Sequence, residues 1–443
     1  MNYKPNRVFI TGLGAVSTFG LGVDALWRGC LDGQPRYRKI PEHWKRISPF
    51  NSDIYSPLPE IEYSAHSLSR VERFHYDVAV LNLFVACDEA IRDAALTTSI
   101  VCRKSNQLSI SEILCPYDAG VFIGTGSGGV NSAFENYRNF TLSKLLSDAP
   151  EQFPPDLREL LNVPHRFSKF VAARAMPNAV AAGVGIKYSI KGAVNAFCYA
   201  CSSSTIAIGN AYEAIRSNRM QLAISGGTEY ATDHLGSTFR SFDAANTLAR
   251  EQDGKLFGPF DERANGFLFG EGGAGVLILE SESSMEKRGA EPIAELIGFS
   301  ESFDAHNIMV PEESGKELHR MLDNILDRSG VSPGDVDYIN THGTGTRNDA
   351  IEAKVYEKAF GSGPICNSSK SILGHTLGAS GALETIVTAL SLNNGEVHGS
   401  AGIENAIAGI NLAKASQKYS IETALKVSSA FGGHNAALLL KKV

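Results

Sequence analysis

The stretch that most limits how this chain can fold is Ala193–Asn218, AVNAFCYACSSSTIAIGNAYEAIRSN. Ala193–Phe197 is short, apolar and preceded by Gly192, which predicts a buried strand. From Ser202 onward, small and hydroxyl residues with Ile206, Ile208, Ala211 and Ile215 predict a helix, weakened somewhat by Gly209. Its first two turns carry no charge, so the helix is expected to pack on several sides. Cys201 then stands on the strand-to-helix turn, facing free N–H groups and the positive end of the helix dipole. Both favour a thiolate, so its pKa is expected to lie below the roughly 8.5 of a free cysteine.

A chain of 443 residues exceeds one ordinary small domain and predicts two domains or two fused halves. With 43% hydrophobic and 20% charged residues the composition is that of a soluble globular protein. Acidic residues outnumber basic ones, 48 to 41, which argues against nucleic-acid binding by bulk charge and requires a local basic patch for any acidic partner. Seven scattered cysteines give no disulfide framework. The polar start and the lack of a long apolar run predict a cytoplasmic protein with no membrane span.

Arg7–Gly14, RVFITGLG, reads as a strand leaving through a tight glycine turn; Ser17 stands where a dinucleotide fingerprint needs its third glycine. Ser69–Leu96 has helical periodicity. Gly120–Gly129 repeats the strand-then-glycine pattern without the Gly-Lys of a P-loop. Asn139–Arg174, with Pro150, Pro154, Pro155 and Pro164, reads as an irregular cap or interface, and Phe153, Leu160, Leu161 and Phe167 supply an apolar contact. Leu222–Gly227 and Gly275–Leu279 read as strands. After the mixed charges of Glu280–Glu291 the order of elements begins again. Glu291–Ser300 resembles the first strand, and Val336–Gly345 resembles Gly120–Gly129. Gly378–Leu392 is a second small-residue helix, and Ala436–Leu440 resembles Gly275–Leu279. The expectation is an α/β fold of two halves, 1–285 and 286–443, meeting through their buried helices.

Two histidines of the second half sit in glycine-rich settings, His342 in NTHGTGT and His375 in KSILGH. Neutral imidazoles there can donate to a developing oxyanion or carry protons. Lys370 can orient them or hold a carboxylate, and Glu384 can anchor Lys370. The turn Phe431–Asn435 offers backbone N–H groups of the oxyanion-hole kind. Cys198-x-x-Cys201 has no second pair, which argues against a zinc or redox site, and no metal is expected.

The segments RVFITGLGAVS, ARAMPN, ACSSS, PFDERANGFLFGEGGAG, NTHGTGT, KSILGHTLGASGALE and FGGHN together resemble the β-ketoacyl-acyl carrier protein synthases of the thiolase superfamily, in family order. The likeness is to the elongating type with a Cys-His-His site. It implies a thiolase-like five-layered αβαβα fold of two pseudo-equivalent halves, and a dimer. It also implies that Cys201 is acylated, that His342 and His375 promote malonyl decarboxylation and hold the enolate, and that Lys370 and Glu384 support them. Phe431 matches the gating phenylalanine, whose N–H joins that of Cys201 in the oxyanion hole. The implied product is a β-ketoacyl-carrier protein. No dissociable cofactor is implied, since phosphopantetheine arrives on the acyl carrier protein. Arg70, Arg73 and Arg250 are the candidate docking residues for that acidic partner.

Three departures stand out. Asp349 and Glu352 lie one position closer to His342 than the usual acidic pair, Ser429-Ala430 replaces Phe-Gly before the gate, and Pro-Thr-x-Asn is absent near Val397–Ile403. They favour a type II polyketide, polyene or specialised fatty-acid pathway over housekeeping elongation. The second subunit is either an identical copy or a chain-length-factor-like homologue. A non-catalytic factor would lack the nucleophile that Cys201 supplies.

Overall fold

The structure, a computed structural model, describes residues 5–46, 48–66, 68–113, 115–152, 154–155 and 167–443. Five strands of the first half are β1 (Val8–Ser17), β2 (Ala119–Gly124), β3 (Val194–Phe197), β4 (Leu222–Tyr230) and β5 (Gly272–Ser281). Five of the second half are β6 (Ala294–Phe303), β7 (Tyr338–Asn340), β8 (Ile365–Asn367), β9 (Thr423–Ala430) and β10 (His434–Lys441). They join in one path, β8-β7-β9-β10-β6-β1-β5-β4-β2-β3. Each half therefore has the same order, β1-β5-β4-β2-β3 and β6-β10-β9-β7-β8, with the same two antiparallel and two parallel pairings. The ladders of β1 with β5 and of β6 with β10 both slip beside a glycine, Gly12 and Gly298. A short antiparallel seam between β1 and β6, Val8↔Leu296 to Ile10↔Ala294, joins the halves. The repeat expected from the order of elements is thus present in strand order, polarity and bulge position. The expected division at 285/286 falls within the helix Glu282–Arg288 that links the two.

The helices are α1 (Val78–Asp93), α2 (Val130–Asp148), α3 (Ala179–Lys187), α4 (Ser203–Arg216), α5 (Lys316–Ser329), α6 (Asn348–Phe360) and α7 (Ser380–Asn394). Helices α4 and α7 pack on each other and on strands of both halves, so they form the central layer. α1 and α3 cover the outer face of the first half, and α5, with α6 against it, covers that of the second. The order of layers is αβαβα. Strands with both faces covered need apolar side chains on both, which the run Val276–Leu279 supplies. Leu277 and Leu279 face the central layer, Val276 and Ile278 the outer one. The central helices carry small residues because they approach closely: a Cβ on Gly381 of α7 would strike Thr205 of α4, whose N lies 2.8 Å away.

Four expectations change. Gly12 and Gly14 form no turn but lie within β1, where a Cβ would strike Ala90 and Ala86 of α1. The strand expected to be buried, β3, is the sheet edge, with Asn195 exposed. Ser69–Leu96 divides into Arg70–His75, opened by a Ser69/Glu72 capping box, and α1, opened by Asp77. Asn139–Asp148, expected to be irregular, belongs to α2; its apolar residues follow no stripe, so periodicity does not reveal it. Phe153, Leu160, Leu161 and Pro164 lie outside the described residues.

Candidate active site

Cys201 lies in the 3₁₀ turn Ala200–Ser202 between β3 and α4. Ala200 adopts the left-handed conformation at φ 48°, a sharp reversal that a non-glycine residue holds only when its surroundings enforce it. Ser203 Oγ does so, donating to the Ala200 carbonyl at 2.6 Å and accepting from Tyr199 N at 2.8 Å. Ser202 Oγ donates to the His434 carbonyl at 2.9 Å and ties the elbow to the second half. The elbow is where the sequence places it. The low thiol pKa expected there is not found: burial pushes Cys201 up to about 12, against the pull of the Lys370 charge and a hydrogen bond from the Phe431 N–H. The neighbouring Cys198 is a free thiol that donates to the Gly126 carbonyl at 3.2 Å.

His375 Nε2 is 3.0 Å from Cys201 Sγ. Its Nδ1 receives the Leu377 N–H at 3.3 Å and lies 2.9 Å from Ser380 Oγ. A backbone N–H can only donate, so Nδ1 is the acceptor and Nε2 carries the proton toward sulfur. The His342 ring meets His375 edge-on, centroids 5.6 Å apart. Burial, then the Lys370 charge, holds both imidazoles well below their usual pKa, so both are neutral.

The turn bearing His342 is held by carboxylates. Glu352 accepts from the N–H groups of His342 (3.0 Å) and Gly343 (2.8 Å), and Asp349 accepts from those of Thr344, Gly345 and Phe260. The acidic pair that departs in spacing from elongating synthases is thus the brace of this turn. Lys370 Nζ donates to the His342 carbonyl at 2.7 Å and to Glu384 Oε1 at 2.5 Å. Both Lys370 and Glu384 are buried, and Glu384 projects from the central helix α7. The second oxygen of Glu384 faces the fully buried Lys426 at 2.8 Å.

Cys201, His342, His375 and Phe431 line one cavity of about 560 Å³. Phe431 stacks on Phe242, which meets Phe267 edge-on, and Phe267 meets His375 in the same way. Gly432 and Gly433 follow the gate at positive φ, 86° and 85°, a backbone only glycine adopts without strain. Ser429 and Ala430 also line the cavity. Arg250 bonds Asn246 and Asn265, which line the cavity; Arg70 and Arg73 lie exposed on the short helix before α1.

Sequence reasoning passed over Lys426, Glu229, Phe242 and Phe267. Lys426 had a signal, a lone charge at the centre of the otherwise uncharged strand TALKVSSA. Glu229, at the end of β4, accepts from Gly126 and Ser127 of the first half and from Gly378 of the second. Burial pushes its carboxyl up to about 7.

Residues 5–284 match the family described as beta-ketoacyl synthase, N-terminal domain, and residues 293–404 match beta-ketoacyl synthase, C-terminal domain. The chain is 31% identical over 447 residues to 3-oxoacyl-[acyl-carrier-protein] synthase 2 of Staphylococcus aureus, covering 98% of each. It is 30% identical to the Rhizobium meliloti protein of the same name, covering 98% of this chain and 99% of that one. Among solved structures it is similar to the ishigamide ketosynthase/chain length factor (TM-score 0.83, 25% identity, 99% of this chain and 100% of that one). It is also similar to a type II PKS ketosynthase solved with its acyl-carrier protein, AntDE:AntF (TM-score 0.79, 26% identity, 99% and 100%).

Proposed function

From the premise that the chain belongs to the beta-ketoacyl synthase family, we propose how its residues carry out decarboxylative condensation of an acyl group with malonyl-acyl carrier protein. The carrying observation is the 3.0 Å contact of His375 Nε2 with Cys201 Sγ in a cavity that His342 shares. Cys201 Sγ attacks the thioester of the acyl-carrier protein, whose C–S bond breaks, and the thiol proton leaves with the departing pantetheine sulfur. The N–H groups of Cys201 and Phe431 hold the oxyanion of this step. Malonyl-carrier protein then enters. Its carboxylate bond breaks, CO₂ leaves, and the electron pair moves onto the thioester oxygen, where the two imidazole N–H groups hold the enolate. The enolate carbon attacks the Cys201 thioester, the new C–C bond forms, and the released Cys201 sulfur takes up one proton. Thiolate suits both steps, as nucleophile and as leaving group. Phosphopantetheine is supplied on the carrier, so no dissociable cofactor takes part, and the setting is the cytoplasm. Among the described residues, no helix is long and apolar enough to cross a membrane.

The small Ser429-Ala430 pair and the likeness to ketosynthases of type II polyketide assembly support a polyketide, polyene or specialised fatty-acid pathway. Full-length similarity to 3-oxoacyl-[acyl-carrier-protein] synthase 2 supports housekeeping elongation as the second reading. The open edge of β3 and, separately, the exposed rings of Phe134, Tyr137, Phe140 and Phe167 support a second subunit, identical or chain-length-factor-like. Light scattering of the chain expressed alone separates the two: an active dimer identifies the homodimer.

Mass spectrometry of the protein incubated with a panel of acyl-carrier proteins tests the reading. The expected result is one acyl adduct, on Cys201, discharged by malonyl-carrier protein, and the acyl group that loads best identifies the pathway. An adduct on another cysteine, or none that malonyl-carrier protein discharges, overturns it.

A further inference from the structure

Lys426 sits at the middle of β9, opposite Asn340 of β7, the strand that leads into His342. Side chains alternate along a strand, so Leu425 and Val427 join the outer core while Ala424 and Lys426 face the central layer. There the lysine is fully buried, a costly place for a cation unless it is paired. Its nearest carboxylate is already taken: Glu384 Oε1 receives Lys370 at 2.5 Å, and only Oε2, 2.8 Å away, is left for Lys426. Two buried ammonium groups share one carboxylate, and the charges of both act on the two imidazoles. The remaining Lys426 contacts are neutral, the Val427 carbonyl and Ser428 Oγ at 3.1 Å.

We propose that Lys426 is a positioning residue for decarboxylation, which keeps Glu384 from cancelling the Lys370 charge and so leaves a net positive field behind the enolate-holding histidines. Decarboxylation moves negative charge from the malonyl carboxylate onto the thioester oxygen beside His342 and His375. A fixed cation behind those donors favours the charge-shifted state, and in a buried site the effect is only weakly screened. The same cation, with Lys370, disfavours protonation of both rings, and so preserves them as neutral donors.

The charged groups facing Lys426 are Glu384 from α7, Lys370 beside it, Glu352 from α6 and the two imidazoles. Burial outweighs the carboxylates and brings its ammonium down to about 8. Lys426 is a cation below that pH and neutral above it. The favourable field is therefore present at pH 7 and fades as pH rises through 8.

The inference rests on the condensing reading above, and the test separates the two. Decarboxylation of malonyl-carrier protein is followed from pH 6 to 9.5, with Cys201 acylation measured in parallel. Wild type is expected to lose rate along an alkaline limb near pH 8. Lys426→Met is expected to decarboxylate about tenfold more slowly at pH 7, with no such limb, while still accepting an acyl group on Cys201. Lys426→Arg is expected to recover most of the rate and to move the limb above pH 9, since guanidinium keeps its proton. A Lys426→Met protein that keeps the wild-type limb overturns the proposal. So does a wild-type profile flat from pH 7 to 9, which decides the matter even if both variants fail to fold. A wild type that is acylated but never decarboxylates overturns the condensing reading instead.

Discussion

His375 shows how one residue's neighbours select its chemistry. The Leu377 N–H and Ser380 hydroxyl occupy Nδ1, so the remaining N–H points into the cavity at sulfur and at whatever carbonyl is bonded to it. In this tautomer the ring is a donor rather than a base for Cys201. His375→Ala is therefore expected to lower malonyl decarboxylation by more than about a hundredfold, the scale for losing one oxyanion donor. Cys201 in that variant should still accept an acyl group, read by mass spectrometry, because its own N–H and that of Phe431 remain. The residues that meet chemistry directly were legible in the sequence, since a cysteine at an elbow and histidines among glycines stand out from their surroundings. The groups behind them were less so. Glu384 was read only as an anchor for Lys370, and nothing in the strand TALKVSSA says that Lys426 faces that same carboxylate from forty-two positions away.

At the scale of elements, the contact of α4 with α7 decides whether the site assembles. Cys201 precedes α4, and His375 precedes α7 by a 3₁₀ turn, so the distance between these helices sets the distance between sulfur and imidazole. Gly381→Ala would drive a methyl group into Thr205 and Ser204. It is expected to cost about 1–3 kcal/mol of stability, read as a lower denaturant midpoint, and to slow condensation even where the protein folds. The need for small residues at this contact was visible in the uncharged, Ser- and Ala-rich start of α4. Three elements depart from their sequence patterns, because such patterns record burial only in part. β3 is apolar yet lies at an edge, α2 is helical without a stripe, and the glycines of β1 make room for α1 instead of turning the chain.

The whole molecule carries excess negative charge, so an acidic carrier must be met by a local cluster. Arg70 and Arg73 form no ion pair among the described residues and lie exposed beside Phe74. Reversing both, as Arg70→Glu with Arg73→Glu, is expected to raise the KM for acyl-carrier protein severalfold, to leave kcat nearly unchanged, and to matter less as salt is raised. Steady-state kinetics at two ionic strengths provide the check. The shared topology of the two halves has a consequence for how the enzyme fails. The nucleophile belongs to one half and both imidazoles to the other, and β1 and β6, where the two halves of the sheet meet, pair over the short run Val8–Ile10 and Ala294–Leu296. Catalysis is thus a property of their registry, absent from either half however well it is folded. A small rotation at that seam would silence the enzyme before any strand melts, as a lock jams when its plates shift while every part remains whole.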